Sequence, residues 1–188
     1  MCEDNSKPVP MSEKIVNHFL DSRTIFFFSS VDDKSANEII QKLLYLDSLN
    51  HDDITIYVNS PGGVIDSGLG GIIDVMNLIQ SDIVTVVAGH AASMGALIQC
   101  CGTKGKRKAT KHSRIMIHQP LISGHLPGTA SELVKEADEI DKMKEEINQI
   151  IARQTGKSIE QVRKDTERDH WLSAQEALEY GMIDEILE

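Results

Sequence analysis

Short apolar runs alternate along this chain with longer amphipathic stretches, and this alternation restricts the fold more than any other feature. The runs that predict strands are 25–28, 54–58, 83–88 and 115–117. A helical pattern follows the first run and includes Ile39, Ile40, Leu43, Leu44 and Leu46. The second run leads through a turn into a helix that extends toward Gln80. Repeated strand–helix units form right-handed crossovers between parallel strands, so the sequence predicts an α/β domain.

Composition and charge exclude several functional classes. The 188 residues include 19 Lys and Arg against 29 Asp and Glu, which gives a net charge of −10. This balance disfavours binding of nucleic acids or anionic membranes, and an aromatic content of 4% disfavours a base-stacking surface. No apolar run approaches the roughly 18 residues of a membrane span. The three cysteines, Cys2, Cys100 and Cys101, do not make a disulfide or zinc framework, so we expect a cytoplasmic protein.

One long amphipathic helix is predicted over about 130–154. Its apolar positions recur every three or four residues, at Leu133, Val134, Ala137, Ile140, Met143, Ile147, Ile150 and Ile151. Thr129 and Glu132 can form a capping box at its start, and Gly156 can end it. About 25 residues at ~1.5 Å each span roughly 37 Å, which is more than a domain of this size requires. The helix therefore either covers the core or projects and buries its apolar stripe against another subunit.

A serine among small residues follows the third predicted strand. The segment Ala91-Ala92-Ser93-Met94-Gly95 is similar to the small-x-Ser-x-Gly elbow that exposes a nucleophilic hydroxyl, with Ala91 where the strict pattern has Gly. Free N–H groups at the start of the following helix can stabilise an oxyanion. The alternative is that Ser93 only caps that helix. The segment alone leaves both interpretations open.

The turn Ser60-Pro61-Gly62-Gly63 after the second strand also has two interpretations. Ser60 and Pro61 are typical of the cap and the first residue of a helix. Two consecutive glycines also leave backbone N–H groups open to a carbonyl oxygen or an extended peptide. No Gly-Lys-Ser/Thr follows, so the turn is not a phosphate-binding loop.

A nucleophilic serine requires a base, and the base requires a residue that orients it. Among seven histidines, His118 is the best candidate because it lies where a buried strand meets the turn at Pro120. His90 can line the site, whereas four others lie in polar surroundings: His18, His51, His112 and His125. Asp169, just before Trp171, is the carboxylate that we expect to be drawn inward, although spacing alone does not single it out. No HExxH motif or similar ligand spacing occurs, so metal chemistry is not expected.

Basic residues are concentrated between 102 and 114: Lys104, Lys106, Arg107, Lys108, Lys111 and Arg114. A patch that binds nucleic acid is one interpretation of this run. In a chain of net charge −10, a solvated hairpin is the favoured one.

Five motifs occur in order along the chain: YVNSPGG at 57–63, GHAASMGA at 89–96, GTKGKR at 102–107, SRIMIHQP at 113–120, and DTERD at 165–169 before WLSA at 171–174. In this combination they resemble the proteolytic subunit of the Clp protease (ClpP, a self-compartmentalising serine peptidase). The match extends from about Phe19 to Leu187, nearly the whole chain.

The resemblance implies a fold and a domain organisation. The fold would be α/β, a crotonase/ClpP-like repeated β-β-α superhelix with a projecting handle helix. A flexible N-terminal segment over 1–18 would precede a single domain over 19–188. Its head would comprise 19–118 and 157–188, and its handle about 119–156.

The resemblance also implies a serine endopeptidase that hydrolyses peptide bonds of unfolded proteins inside a barrel. Ser93 matches the family nucleophile, His118 the base and Asp169 the orienting acid. The backbone N–H groups of Gly63 and Met94 match the oxyanion hole. Two further residues, Glu167 and Arg168, match positions that pair across the contact between rings and tie assembly to triad alignment.

The partners implied by the resemblance are copies of this chain or of a ClpP paralogue, in two stacked heptameric rings joined through the handles. An AAA+ unfoldase such as ClpX, ClpA or ClpC would feed unfolded proteins into this tetradecamer. That ATPase would use ATP, and this chain is expected to need neither a cofactor nor a metal. Neither a nucleic acid nor a membrane is an expected partner.

Several positions depart from the family pattern. The N-terminal segment is short and polar, whereas many members of the family have an apolar segment that forms an axial loop. In the pocket that receives loops of the ATPase, Thr55 and Leu78 replace aromatic residues, although Tyr57 is kept. The stretch near Gly70-Gly71 is one residue longer, and the loop 121–128 is also extended. These changes suit a divergent paralogue that works in a mixed barrel.

Two alternatives belong to other functional classes. One is a crotonase-type acyl-CoA hydratase or isomerase, which shares the fold and an oxyanion hole of backbone N–H groups. The other is a catalytically silent structural subunit of a mixed barrel, whose triad is present but misaligned.

Overall fold

All four strands that the apolar pattern predicts are present, and three further strands that it does not predict lie at Arg107–Thr110, His170–Ser173 and Glu185–Leu187. The computed structural model describes residues 11–121 and 127–188. Its elements are α1 (Met11–Asp21), β1 (Thr24–Phe27), α2 (Asp33–Leu49), β2 (Ile54–Ser60), a π-helical segment (Ser67–Ile73), α3 (Asp74–Leu78), β3 (Ile83–Ala92), α4 (Met94–Cys100), β4 (Arg107–Thr110), β5 (Arg114–Ile117), α5 (Ala130–Thr155), α6 (Ile159–Asp165), β6 (His170–Ser173), α7 (Ala174–Tyr180) and β7 (Glu185–Leu187). Of the segment predicted to be flexible, 1–10 lies outside the described residues, whereas 11–18 belongs to helix α1.

The sheet is mostly parallel, which confirms the predicted α/β class. Five strands lie in the order β1-β2-β3-β4-β7, and β5 pairs with β3 while β6 pairs antiparallel with β5. Strand β3 contacts β4 from Thr85 to Val87 and then pairs with β5 from His90 to Ala92. This change of neighbour brings the carboxyl ends of β3 and β5 together, and the predicted catalytic serine and histidine follow those two ends.

The basic run does not form the predicted hairpin, and that prediction is wrong. Strand β4 pairs with β3 and β7 rather than with β5, so it lies inside the sheet. The Arg107 guanidinium is buried and bonds both Asp184 oxygens, at 2.6 Å and 2.9 Å. The Lys106 ammonium lies 2.8 Å from carboxylate oxygens of both Asp53 and Asp82. A local concentration of Gly and Lys indicates a turn but does not specify which strands pair. Three of the six cations, Lys106, Arg107 and Lys108, have acidic partners within the chain.

A π-helical turn interrupts the helix that follows β2. It covers Ser67–Ile73 and continues into α3, with Ile72 and Ile73 buried in the core. A π turn arises when one residue is added within an α-helix. The segment includes Gly70-Gly71, near which the resemblance implies a one-residue extension.

Helix α5 combines the two interpretations that the sequence left open. Thr129 and Glu132 form the predicted capping box, and Gly156 ends the helix in the left-handed region with φ 76°. The second half buries Ile147, Ile150 and Ile151 in the core. The first half extends away from it, so that Leu133 and Val134 are 42% and 61% exposed. Within 11–121 and 127–188, no helix combines the length and apolarity that crossing a bilayer requires.

Candidate active site

Ser93 lies on a strained turn between β3 and α4. Its backbone has φ 55° and ψ −125°, a region that residues with a side chain rarely occupy. The turn is held from both sides, because the Ser93 N–H donates to the Met116 carbonyl (2.8 Å) and the Ser93 carbonyl accepts from the Leu97 N–H (3.1 Å). The side chain makes no capping bond to α4, so its hydroxyl points elsewhere. This geometry is that of a nucleophile elbow rather than of a simple helix cap.

His118 follows the last residue of β5 and faces Ser93. Its Nε2 lies 2.8 Å from the Ser93 Oγ, within hydrogen-bonding distance. The pairing of Ala92 with Met116 across β3 and β5 sets this distance, since Ala92 is the last residue of β3 and Met116 lies one residue before the end of β5. Beyond the histidine, the Gln119 N–H donates to the Thr166 carbonyl over 2.6 Å and holds the segment in place. The His118 side chain is 11% exposed, so the imidazole is largely shielded from water.

Asp169 lies on the other side of the imidazole. Its Oδ1 is 3.3 Å from the His118 Nδ1, longer than the ~2.7–2.9 Å of a charge-assisted hydrogen bond. The Asp169 side chain is 64% exposed, so the expectation that it is drawn inward is wrong. The residue lies in the surface turn between α6 and β6, and this turn is exposed to solvent in the single chain. Glu167 and Arg168, in the same turn, are also exposed.

The Gly62-Gly63 turn packs directly on the serine. A methyl group on Gly62 would lie 2.6 Å from the Ser93 Cβ and 3.0 Å from the Met94 nitrogen. Gly63 has φ 149°, and its neighbours are fixed by bonds between Val31 and the two flanking residues, Gly62 and Val64. Within the described residues, the Gly63 N–H has no acceptor, and the Met94 N–H lies in the first turn of α4, where no intrahelical acceptor exists. Both N–H groups therefore lie near Ser93 and can donate hydrogen bonds to an oxyanion.

Two pockets adjoin the serine–histidine pair. The first is a small apolar pocket lined by Ile65, Met94, Leu97, Ile117, Ile147 and Ile151. The second is a wider cleft on the side of the glycine turn, lined by Pro61, Gly63, Val64, Asp66, Leu121 and Met143 among others. Together the pockets can take a peptide with one apolar side chain beside Ser93.

Most of the pocket residues carry no signal in the sequence. Ile147 and Ile151 fit the apolar stripe of the predicted helix, and nothing in the sequence indicates that they reach the serine. Nothing in the sequence marks Asp66 as a pocket residue, because acidic residues are common near the start of a helix. His90 lies in β3 but lines neither pocket, and His125 lies outside the described residues. The three other histidines placed in polar surroundings, His18, His51 and His112, are exposed.

The site defines a class of enzyme. A serine on a strained elbow, an imidazole in contact with its hydroxyl, and free N–H groups beside it are the parts of a serine hydrolase that forms an acyl intermediate. Within 11–121 and 127–188, no group of three or more His, Cys, Asp and Glu side chains is arranged to hold a metal ion.

Comparisons with known proteins specify the family. The sequence model of the family described as Clp protease matches residues 7–188. The chain is 50% identical over 175 residues to the ATP-dependent Clp protease proteolytic subunit of Porphyromonas gingivalis, covering 93% of this chain and 78% of that protein. The chain belongs to the Clp protease family. It is a serine endopeptidase subunit, which confirms the predicted enzyme class, and neither the acyl-CoA hydratase nor the silent-subunit alternative is favoured.

Proposed function

We propose that Ser93, His118 and Asp169 form the catalytic triad of this endopeptidase. The observation that carries the proposal is the 2.8 Å contact between the Ser93 Oγ and the His118 Nε2 on a strained elbow. With Nδ1 facing the Asp169 carboxylate, the proton resides on Nδ1, and Nε2 accepts from the serine hydroxyl.

The reaction follows from this arrangement. Oγ attacks the carbonyl carbon of a peptide bond while Nε2 takes its proton, and the tetrahedral intermediate then collapses as His118 protonates the leaving amine. Water attacks the resulting acyl-serine with His118 again acting as base. The products are a peptide with a new carboxylate and a peptide with a new amine.

The N–H groups of Gly63 and Met94 would bind the oxyanion of both tetrahedral intermediates. They are fixed before substrate binds, one in the glycine turn and one at the start of α4, so little reorganisation is needed. Each donor of this kind contributes about 10²–10³ in rate. The apolar pocket behind Ser93 would hold the side chain next to the bond that is cleaved.

The nucleophile assignment is tested by labelling with a fluorophosphonate probe. The wild-type chain is expected to take up one probe per subunit, and Ser93→Ala is expected to take up none. Ser113→Ala serves as the matched control, because Ser113 is buried and bonds the Val87 carbonyl and the Gly89 N–H away from His118. Labelling that persists in Ser93→Ala would contradict the assignment of Ser93 as the nucleophile.

We propose further that the chain works in two stacked rings of itself or of a paralogue. The exposed first half of α5, with Leu133 and Val134 uncovered, supports a subunit contact along this helix. Glu167 and Arg168 are exposed two residues and one residue before Asp169, so a contact made there can tighten the 3.3 Å link between Asp169 and His118.

This assembly is tested by native mass spectrometry with peptidase assays on the same samples. Arg168→Ala is expected to shift the assembly from double to single rings and to lower kcat by at least tenfold. Lys164→Ala, an exposed cation at the end of α6, is the control and should change neither. Double rings of full activity in Arg168→Ala would rule out this coupling.

The remaining partners are proposed on the same basis. An AAA+ unfoldase such as ClpX, ClpA or ClpC would deliver unfolded proteins and use ATP, while this chain needs no cofactor of its own. A partly exposed aromatic cluster supports docking of apolar loops at the β1–β2 edge. In it, the ring centroids of Phe19, Phe28 and Tyr57 lie 4.8–5.8 Å from that of Phe26. Free thiols at Cys100 and Cys101 support work in the reducing cytoplasm.

A further inference from the structure

The wider cleft beside Ser93 contains one acidic side chain in otherwise apolar surroundings. Asp66 lines this cleft with Val64, Leu121 and Met143, and among the residues that the structure describes the only other polar side chains in its lining are those of Ser93 and His118. The sequence places Asp66 three residues after the oxyanion-hole candidate Gly63, so the carboxylate is fixed close to the path of a bound peptide.

Nothing within the described residues neutralises this carboxylate. Asp66 lies in the first turn of the helix that leads into the π-helical segment, but its side chain makes no capping hydrogen bond. It is exposed, and it has no ion-pair partner within 11–121 and 127–188. The nearby Asp33 differs in this respect, because its carboxylate accepts a 2.6 Å bond from the Ser67 hydroxyl.

An uncompensated charge in an apolar cleft attracts a ligand of opposite charge. Asp66 is exposed at this cleft, so its field is screened within about 10 Å at 0.1 M salt and acts on cationic side chains that come within that distance. The small apolar pocket holds only one side chain of a peptide that lies across Ser93. The neighbouring side chains, close to the scissile bond, would therefore lie over the wider cleft.

We propose that Asp66 is a specificity-determining residue, which selects peptides that carry Lys or Arg close to the apolar residue bound beside Ser93. The inference rests on the proposed role of Ser93 and adds a charge preference to it. The ligand is a basic side chain of an unfolded protein substrate, and Asp66 acts in binding rather than in the chemical step.

The test compares matched peptides that are acetylated and amidated, so that only one side chain varies in charge. Each peptide has one Leu for the apolar pocket, with Lys or Gln placed in turn at the three positions on either side. For at least one position, the wild-type protein is expected to cleave the Lys peptide with a kcat/KM about three- to tenfold above that of the Gln peptide. The preference should lie mainly in KM and should shrink as salt is raised from ~0.05 to ~0.5 M.

Asp66→Asn is expected to abolish this preference, so that the variant cleaves the Lys and Gln peptides with equal kcat/KM. Asp74→Asn is the matched control, because Asp74 is exposed at the start of α3 and lines neither pocket. Asp66→Ser provides a second neutral side chain should the asparagine variant fold poorly. Binding of the same peptides to Ser93→Ala, and to Ser93→Ala combined with Asp66→Asn, measures the preference without turnover.

The outcomes separate the two proposals. Equal cleavage of Lys and Gln peptides by the wild type, or a Lys preference that survives in Asp66→Asn, overturns the inference and leaves Ser93 as the nucleophile. Cleavage that persists in Ser93→Ala overturns the proposed function itself. Loss of the preference in Asp66→Asn but not in Asp74→Asn supports the assignment of Asp66.

Discussion

The Cα of Gly62 lies so close to Ser93 that one added methyl group would come within 2.6 Å of the serine Cβ. The glycine turn and the nucleophile elbow are therefore in direct backbone contact. Neither can move without the other, which fixes the distance between the Gly63 N–H and the serine hydroxyl. The site depends on this contact for its geometry as much as on its ionisable groups.

Replacing Gly62 with Ala is expected to lower kcat/KM by about 10²-fold, through loss of one oxyanion donor. The added Cβ meets backbone atoms, including the Ala92 oxygen at 2.7 Å, and a φ of 92° adds strain. Peptidase assays and thermal unfolding of the variant measure both effects. Gly70→Ala is the control, because no atom lies within 4 Å of its added Cβ and activity should be unchanged. Full activity in Gly62→Ala would contradict the assigned contact.

Deleting Gly70 is expected to convert the π-helical segment into an α-helix and to leave the protein folded. The residue is exposed, and removal of one residue from a π turn restores α-helical register on both sides. The free energy of unfolding should change by no more than about 1 kcal/mol in denaturant titrations. Deleting Glu38 from α2 is the control, since it rotates Leu43 and Leu46 out of the core, at about 2–5 kcal/mol for each. If both deletions unfold the chain, the π turn is not a one-residue insertion.

Asp184→Asn is expected to destabilise the fold by about 3 kcal/mol, because it leaves the Arg107 guanidinium buried without its anion. The matched variant is Asp53→Asn, which should cost about 1 kcal/mol or less, since Lys106 is more exposed and keeps Asp82. Urea titrations of both variants at pH 7 measure the difference. Equal losses in the two variants would show that burial of Arg107 is unimportant.

The same pair predicts how stability depends on pH. Burial opposes ionisation of Asp184, but hydrogen bonds from Arg107 and the Gly105 N–H outweigh it, so its pKa lies below the ordinary value of 3.8. A carboxyl whose pKa is lowered by folding stabilises the native state fully above its unfolded pKa, and loses that effect as the pH falls through the folded value. The stability difference between wild type and Asp184→Asn should therefore be constant from about pH 5 upward and shrink below about pH 4.

Cys100 is expected to resist alkylation until the protein unfolds. Burial raises the pKa of its thiol to about 11, despite the nearby Arg107 guanidinium, so very little thiolate exists at pH 8. Burial also raises the pKa of Cys101. Mass spectrometry after iodoacetamide treatment, with and without denaturant, locates the modified thiols. Rapid labelling of either residue in the native protein would contradict their burial.

Much of the fold could be predicted from the sequence because its signals are local. The predicted strands and the capped helix that begins at Ala130 depend on apolar spacing and on residues such as Thr129 and Gly156. The pairing of β4 could not be predicted, because Lys106, Arg107 and Lys108 have their acidic partners 24 to 77 residues away along the chain. Long-range partners of this kind leave no local pattern.

The candidate site shows the same division. Ser93 and His118 were chosen from strand ends and small neighbours, which are local features, and the structure brings them to 2.8 Å. The exposure of Asp169 depends on what covers the turn after α6, which the spacing of residues does not reveal. Asp66 can be recognised only once the whole cleft is known, because what distinguishes it is the apolar character of its surroundings.

Under the proposed assembly, the uncovered first half of α5 would make the activity depend on the concentration of the protein. Leu133 and Val134 lie in water in the single chain, so burying them favours association, and association depends on concentration by mass action. A dilute chain would stay apart, with Asp169 only loosely engaged with His118. Proteolysis would then begin above a threshold of subunit supply, and scarce or newly made chains would be harmless to their surroundings.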